Sequence, residues 1–361
     1  MSSRAYLDHA STAPLRPGVL DTMLPHFGDQ FADPGRVHTE ARMTRAAIED
    51  ARERVAAFVG ARPREVVFTS GGTEAIAHAL HWVRGHVVTS AVEHSAVRES
   101  LARATNDVTV VAVDRAGRVD PVAVTAAIRP DTVLVSVQLA NHEVGTLQSL
   151  EFARRTGVLV HVDACAAVGH VPISFRDLGI DLMSITAHKF GGPKGVGALV
   201  VRRGVRVPSL LLGGAQERAR RAGIENTPAI VGFGAAVAGI DVEREAATQR
   251  ALIERSAQAA LAVHGVERFG TGDLPNLLCV GIDGVEAEAV LLGLDQAGIA
   301  AHSGSSCSSE MLEPSPVLAA MGVEAQRSLR ISVGWSTTDA DIDRFCAAFP
   351  DVVARLRSLR S

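Results

Sequence analysis

Lysine is nearly missing from this chain of 361 residues: of its 36 basic residues only Lys189 and Lys194 are lysine, and the others are arginine. The two side chains serve alike on a solvated surface, so the bias reads as genomic. Arginine cannot stand in where an amine must lose its proton and attack a carbonyl carbon. Both lysines fall within Ala187-His-Lys-Phe-Gly-Gly-Pro-Lys194. Chance survival is the plain explanation; a chemical lysine is the sharper one, and it directs attention to this segment. Cysteine is also scarce. Cys165, Cys279, Cys307 and Cys346 are widely spaced with no CxxC pair, which excludes a disulfide framework or zinc knuckle and fits reduced thiols in a cytoplasm. No apolar run approaches membrane-spanning length, and the first ten residues lack a charged stretch followed by an apolar one. Neither a membrane span nor a signal peptide is therefore expected. Net charge is −4 with no basic stripe, so no nucleic-acid partner is expected. With 47% hydrophobic and 21% charged residues, a packed core is easily built and wholesale disorder is excluded.

What is present alternates between two periods. Short β-rich runs at Val66–Ser70, His86–Ser90, Val108–Val113, Thr132–Gln138, Val158–Val162, Leu182–Thr186 and Val196–Val201 read as strands. Helical stretches at Thr73–Val83, Glu93–Ala104 and Val122–Ile128 lie between some of them. Strand, crossover helix and strand in repetition predict an α/β fold with a mostly parallel sheet, helices covering both faces. In such sheets ligands sit beyond the carboxyl ends of the strands. Ser70, Ser90, Asp163 and the Thr186–Lys189 segment all fall there. Ala229–Val263 reads as one or two helices leading out of this unit. Strands at Leu277–Ile282 and Leu329–Val333, with helices at Glu286–Ala297 and Asp339–Phe349, predict a smaller α+β domain. Pro350 is expected to open a last helix. The expected division is an N-terminal arm over 1–15, a large domain over 16–250 and a small domain over 251–361.

Several segments carry chemistry at those strand ends. Ser70-Gly-Gly-Thr-Glu74 closes a strand and opens a helix, so its backbone N–H groups can cradle a phosphate, although an ordinary helix start looks the same. Asp163 ends a buried strand, where a carboxylate could hold a protonated ring nitrogen; a helix cap is the alternative. His94 follows a strand end and could stack on a ring, and His188 could reach a phosphate oxygen. A phosphate cradle, an acid for a pyridinium nitrogen, a ring face and an amine together define a pyridoxal-phosphate site. Cys307, in His302-Ser-Gly-Ser-Ser-Cys-Ser-Ser309, has the small polar surroundings that suit a reactive thiol. Cys279 and Cys346 read as packing residues, and Cys165 as a possible neighbour of the cofactor. Arg330, on an apolar strand, needs an anionic partner: a substrate carboxylate or a structural acid.

These segments resemble the NifS/IscS-like cysteine desulfurases of the class-V aminotransferase fold. The likeness runs from Tyr6-Leu-Asp-His-Ala-Ser-Thr-Ala-Pro14 to Thr337-Thr-Asp-Ala-Asp-Ile-Asp343. Its most specific pieces are Ser70-Gly-Gly-Thr-Glu74, Glu93-His94, His188-Lys189, Gly192-Pro-Lys-Gly195, Gly213-Gly-Ala-Gln-Glu-Arg218, Ser303-Gly-Ser-Ser-Cys307 and Leu312-Glu-Pro-Ser315. The resemblance implies a pyridoxal-phosphate transferase of fold type I, with a seven-stranded large-domain sheet. It implies that Lys189 bonds the cofactor, that Gly72, Thr73, Thr186 and His188 bind it, that Asp163 pairs with its ring nitrogen and that His94 stacks on the ring. It further implies that Cys307 takes sulfur from L-cysteine as a persulfide while alanine leaves, and that Arg330, with Asn141, binds substrate. A homodimer delivering sulfur to an acceptor protein is the implied assembly. A lyase releasing sulfide or selenide directly, and a catalytically weakened scaffold, remain alternatives.

Three positions depart from the family pattern. Asn-Asn-Glu is here Asn141-His142-Glu143, so His142 stands where an asparagine reaches the cofactor. Asp-Ala-Thr-Gln is Asp163-Ala-Cys-Ala166, which removes a glutamine bonded to the ring oxygen. Arg-Ser-Gly-Thr is Arg221-Ala-Gly-Ile224, which removes a hydroxyl offered to the partner subunit's phosphate.

Overall fold

The computed structural model describes residues 4–154, 157–303 and 315–359; Cys307 and most of the Leu312–Ser315 motif lie outside the described residues. Seven strands stand side by side in the order Val66–Thr69, Gly197–Val201, Leu182–Thr186, Leu159–Asp163, Thr132–Ser136, His86–Ser90, Val108–Val111. Neighbours run parallel except around Gly197–Val201, which is antiparallel on both sides. Every residue of Val66–Thr69, His86–Ser90 and Leu182–Thr186 is buried, which explains why these strands read as continuous rather than alternating apolar runs.

Around this sheet the helices follow the expected pattern, with some differences. Thr39–Phe58, which the sequence reading passes over, packs on Thr227–Ala238. A Cβ at Gly234 would lie 2.7 Å from Ala51 Cα, so the two helices meet this closely only because position 234 is glycine. The stretch expected over Ala229–Val263 is two helices, Thr227–Ala238 and Val242–Leu261, the second capped by the Asp241 carboxylate on Arg244 N–H at 3.0 Å. A boundary at 250 would cut that second helix. Its Leu252, Ile253, Ala257 and Ala260 belong to the smaller core, whereas Glu245 and Gln249 in its first half bond Arg16 and His170 of the large unit, so the change of core falls within this helix.

The smaller core lies under an antiparallel sheet in the order His302–Ser303, Ser328–Ser332, Leu277–Ile282, Val266–Phe269. Ala5–Tyr6 pairs in parallel with Ile299–Ala300 as a separate two-stranded sheet, and a bridge from Asp8 to Ser332 brings the arm against the four-stranded one. Pro350 does not open a new helix: Asp339–Ser358 is continuous with the proline inside it. An interior proline costs about 3 kcal/mol or more. Phe345, Phe349, Val352 and Val353 are all buried on either side of it, and one uninterrupted face of that size offsets the lost hydrogen bond.

Two ion pairs, Arg52–Glu217 and Glu49–Arg218, join the first long helix to a strained turn, and the first is the buried one. Glu217, Arg218 and Ala219 have φ values of 49°, 60° and 62°, in the left-handed region that costs on the order of 1–3 kcal/mol per non-glycine residue. The Glu217 carboxylate accepts from Arg52 Nη1 and Nη2 at 2.8 and 2.6 Å and from Phe68 N–H at 2.9 Å. Both side chains are buried. Removing one partner of such a pair strands the other charge, so Glu217→Ala is expected to lower unfolding free energy by about 3–5 kcal/mol. Urea denaturation checks it: a loss below about 1 kcal/mol would show that the pair does not hold the turn.

Candidate active site

The parallel strands end at one edge of the sheet, and a cavity of about 270 Å³ opens there. Gly72, Thr73, His94, His142, Asp163, Thr186, His188, Lys189 and Arg330 all line it. Nine of the expected site residues, drawn from segments that span most of the chain, thus line one cavity. Asn141 does not reach it. Its side chain is buried, donating to Val92 O at 3.2 Å and accepting from the Glu143 and Val144 N–H groups at 2.9 Å each. It shapes the turn that carries His142. Cys307 lies outside the described residues.

At one end of the cavity the helix Gly72–Leu80 presents its N-terminus. A Cβ at Gly72 would fall 2.6 Å from Cys165 Sγ, so glycine is needed for the backbone to approach this closely. The Thr186 hydroxyl is buried and has no hydrogen-bond partner among the described residues. An anion seated on the helix terminus would satisfy it. Glu74 introduces a negative charge in this first turn, but Arg221 grips it through two bonds at 2.9 and 3.2 Å. Burial would raise that carboxyl; the bonds from Arg221 and Ser70 outweigh it and hold the group below its usual range. Lys194 does not line the main cavity. It lines an adjoining one that shares Gly72, Thr73, Thr186 and His188, which separates the two lysines: only Lys189 faces Asp163 and His94.

Asp163 Oδ1 accepts from Cys165 N–H at 2.9 Å, so the aspartate also serves locally as a turn cap. The His94 Nδ1 atom accepts from Ala96 N–H at 3.0 Å and caps the helix Ser95–Ala104. Its ring meets that of His142 edge-on, with centroids 4.9 Å apart. Burial, reinforced by His142, pushes His94 down to about 3. Burial followed by Lys189 and Arg330 takes His142 to about 3, and burial followed by Lys189 and Lys194 takes His188 to about 4. Three neutral imidazoles therefore surround the cavity near pH 7, able to stack or donate a hydrogen bond without competing for a cation's place. Behind His94, Glu93 is buried between the Ser90 hydroxyl and Gln138 N–H, and burial raises its carboxyl to about 8.

Of the two partners considered for Arg330, the structure holds the structural acid. Its Nη2 atom donates to Asp8 Oδ1 at 2.9 Å and to Ser11 Oγ at 2.8 Å, and Nη1 donates to His142 O at 2.9 Å. That is a structural ion pair, yet the residue lines the cavity and its buried Nε atom has no protein acceptor among the described residues. The remaining thiols separate as well. Cys165 lines the cavity, but burial raises its pKa well above the ordinary value, which leaves a protonated, weakly nucleophilic group. Cys279 is buried in its strand and Cys346 is half-buried.

Ser11 and Gln138 also line the cavity and escaped the sequence reading. Gln138 lies just beyond the strand Thr132–Ser136, so the strand-end rule that found Asp163 could have found it. Ser11 has no local signal, because its arm arrives from the far end of the sequence.

The family profile described as aminotransferase class-V matches residues 5–345. A curated relative, "Cysteine desulfurase IscS" of Dictyoglomus turgidum, is 39% identical over 99% of this chain and 97% of its own length. Among solved structures, a "NIFS-like protein" superposes with a TM-score of 0.90 at 31% identity, covering 98% of this chain and 100% of the other. "SspA in complex with cysteine" superposes with a TM-score of 0.81 at 32% identity, covering 91% and 98%. The sheet order, the strand-end cavity and the lysine within it agree with a match that runs almost end to end, and the chain belongs to the class-V aminotransferase family.

Proposed function

We infer that this chain is a cysteine desulfurase that uses pyridoxal 5'-phosphate to move sulfur from L-cysteine onto Cys307. The observation that carries the reading is the convergence of Lys189, Asp163, His94 and the unpartnered Thr186 hydroxyl on one cavity. The donor set fits the cofactor. The Gly72–Thr73 helix start, Thr186 and His188 suit its phosphate, Asp163 its ring nitrogen, His94 its ring face, and Lys189 its aldehyde carbon. When bound, it supplies a sink for the electron pair left as the substrate's Cα–H bond breaks.

The chain's own residues do the rest. Arg330, already neutralised in part by Asp8, offers its free N–H capacity to the substrate carboxylate. The Lys189 amine moves the α-proton. The Cys307 thiolate attacks the substrate sulfur, the carbon–sulfur bond breaks, and the carbon skeleton leaves as alanine after protonation. Persulfide sulfur then passes to an acceptor protein. We propose a homodimer in which exposed Ile224 faces the partner subunit. Among the described residues no helix is long and apolar enough to cross a membrane. Alanine release from L-cysteine that depends on added pyridoxal phosphate tests the reading; alanine formation without the cofactor, or none with it, would refute it.

His142 and Ala166 both line the cavity, which gives their replacement a measurable consequence. A net hydrogen bond is worth about 0.5–1.5 kcal/mol, and more to a charged acceptor. Losing the side-chain donors at 166 and 224 implies cofactor binding weaker by on the order of 10- to 100-fold. Neutral His142 can donate a ring N–H to the phenolate oxygen in place of the donor missing at 166. Ala166→Gln is therefore expected to tighten pyridoxal phosphate more in a His142→Ala background than in wild type. Cofactor titrations of the four proteins measure this coupling; equal gains in both backgrounds would show that His142 does not substitute.

A further inference from the structure

The loop that carries Lys189 is held through its backbone carbonyls by the N-terminal arm. Ala13 N–H donates to His188 O at 2.8 Å, and Arg16 N–H to Gly191 O at 2.9 Å. The Arg16 side chain adds a third bond, from Nε to Phe190 O at 2.7 Å. The carbonyls on both sides of Lys189 are therefore occupied by the arm. The other two nitrogens of Arg16 reach away from the loop. Nη1 and Nη2 donate to the two oxygens of Glu245 at 2.6 Å each, a bidentate pair that is largely buried. Glu245 lies on Val242–Leu261, the helix within which the chain passes from the larger core to the smaller. Gly191 shows how closely these parts meet. Its φ is 95°, and a Cβ there would fall 2.6 Å from Arg16 Cγ and 2.8 Å from Trp335 Nε1. Trp335 itself donates to Pro14 O at 3.0 Å.

The arm is also bonded to the guanidinium offered to the substrate carboxylate. Asp8 and Ser11 both accept from Arg330 Nη2. One short segment, from Asp8 to Arg16, thus links Arg330 to the loop that carries the amine. Arg16 and Glu245 are not among the residues that line the cavity, so they act on its chemistry only through that loop.

We propose that Arg16 is a positioning residue for the α-proton transfer: clamped by Glu245, it fixes the Lys189 loop, and hence the amine, relative to the Cα of a substrate held by Arg330. The proposal rests on Lys189 as the group that moves that proton. A displacement of about 1 Å at a reacting centre can cost on the order of 10²-fold in rate. A fork bonded at once to Phe190 O and to both oxygens of a buried carboxylate leaves the loop little freedom to shift.

The test uses full-length holoenzyme with L-alanine in deuterium oxide. The Lys189 amine takes the α-proton, exchanges it with solvent and returns a deuteron to Cα, so exchange followed by NMR reads proton transfer with no thiol involved. Wild type, Arg16→Ala, Glu245→Ala, Glu245→Gln and the double Arg16→Ala/Glu245→Ala variant are compared. Four quantities are read: kcat and KM for exchange, affinity for pyridoxal phosphate, and urea unfolding of the apoprotein. Arg16→Ala should lower kcat by about tenfold or more, and Glu245→Ala by about threefold or more. KM and cofactor affinity should stay within about threefold, because Arg330 and the Gly72–Thr73 helix start are untouched. Glu245→Gln keeps the side-chain size and an acceptor oxygen, and should exchange near the wild-type rate. The double variant should be no slower than Arg16→Ala alone.

Lower apoprotein stability in Arg16→Ala with wild-type kcat would overturn the proposal, since the pair would then only tether the two units. So would a loss confined to cofactor affinity, which would place the effect at the cofactor's seat rather than at the amine. Should Arg16→Ala not fold, Glu245→Ala is read by the same criteria. No α-proton exchange in wild type, or wild-type exchange in Lys189→Ala, would overturn the role of Lys189 and this proposal with it. Normal kcat in Arg16→Ala beside an inactive Lys189→Ala would overturn this proposal alone.

Discussion

Lys189→Ala is expected to abolish the absorbance change that accompanies pyridoxal-phosphate binding and to remove turnover. Only a neutral amine condenses with an aldehyde, and no second lysine faces this cavity: Lys194 lines the adjoining one. A positioned proton-transfer group alone contributes about 10²–10⁴-fold, and Lys189 combines that task with holding the cofactor. Lys194→Arg, by contrast, should keep the absorbance change. Spectra and alanine release measured side by side on the two variants check this. Borohydride applied to the wild-type holoenzyme should fix the cofactor to the peptide carrying Lys189, and a label on the Lys194 side of a cleavage between them would refute the assignment.

The second large effect separates cofactor from thiol. Cys307→Ser should bind pyridoxal phosphate and respond to L-cysteine as wild type does, yet accumulate no persulfide, a loss of at least about 10²-fold in sulfur transfer. A serine hydroxyl is a far weaker nucleophile towards sulfur at neutral pH than a thiol, which is partly thiolate there. Cys165 is the natural substitute by position, since it lines the cavity, but burial keeps it protonated. Persulfide on Cys165 at wild-type rates in the Cys307→Ser protein would show that the nucleophile is misassigned.

Much of this site was legible because parallel α/β sheets put chemistry at strand ends. Gly72, Asp163 and Lys189 each lie at or within three residues of the end of a strand that declares itself by apolar, β-branched residues, so each could be placed without knowing the fold. The lysine census pointed to the same segment by an independent route. What stayed hidden depends on contacts between remote parts of the chain. Arg330 and Asp8 are 322 residues apart, and nothing local says that the arm delivers a carboxylate to that guanidinium. The substrate role of Asn141 came from the family resemblance alone; here the turn consumes its amide. The helix Thr39–Phe58 was missed because its buried stripe is built largely of small or atypical residues, Ala41, Thr44, Ala51, Arg52 and Ala56 among them, which give little hydrophobic periodicity. Pro350 was read as a helix start by a rule about propensity, which tertiary packing of Phe345, Phe349 and Val353 overrode.

A peptide map of the wild-type holoenzyme after brief exposure to L-cysteine tests the central claim most directly. The account predicts one added sulfur atom on the peptide carrying Cys307, formed in step with alanine and absent when pyridoxal phosphate is left out. Pyruvate and ammonia formed with an equal amount of free sulfide, and Cys307 unmodified at the earliest times, would contradict it and identify a lyase instead.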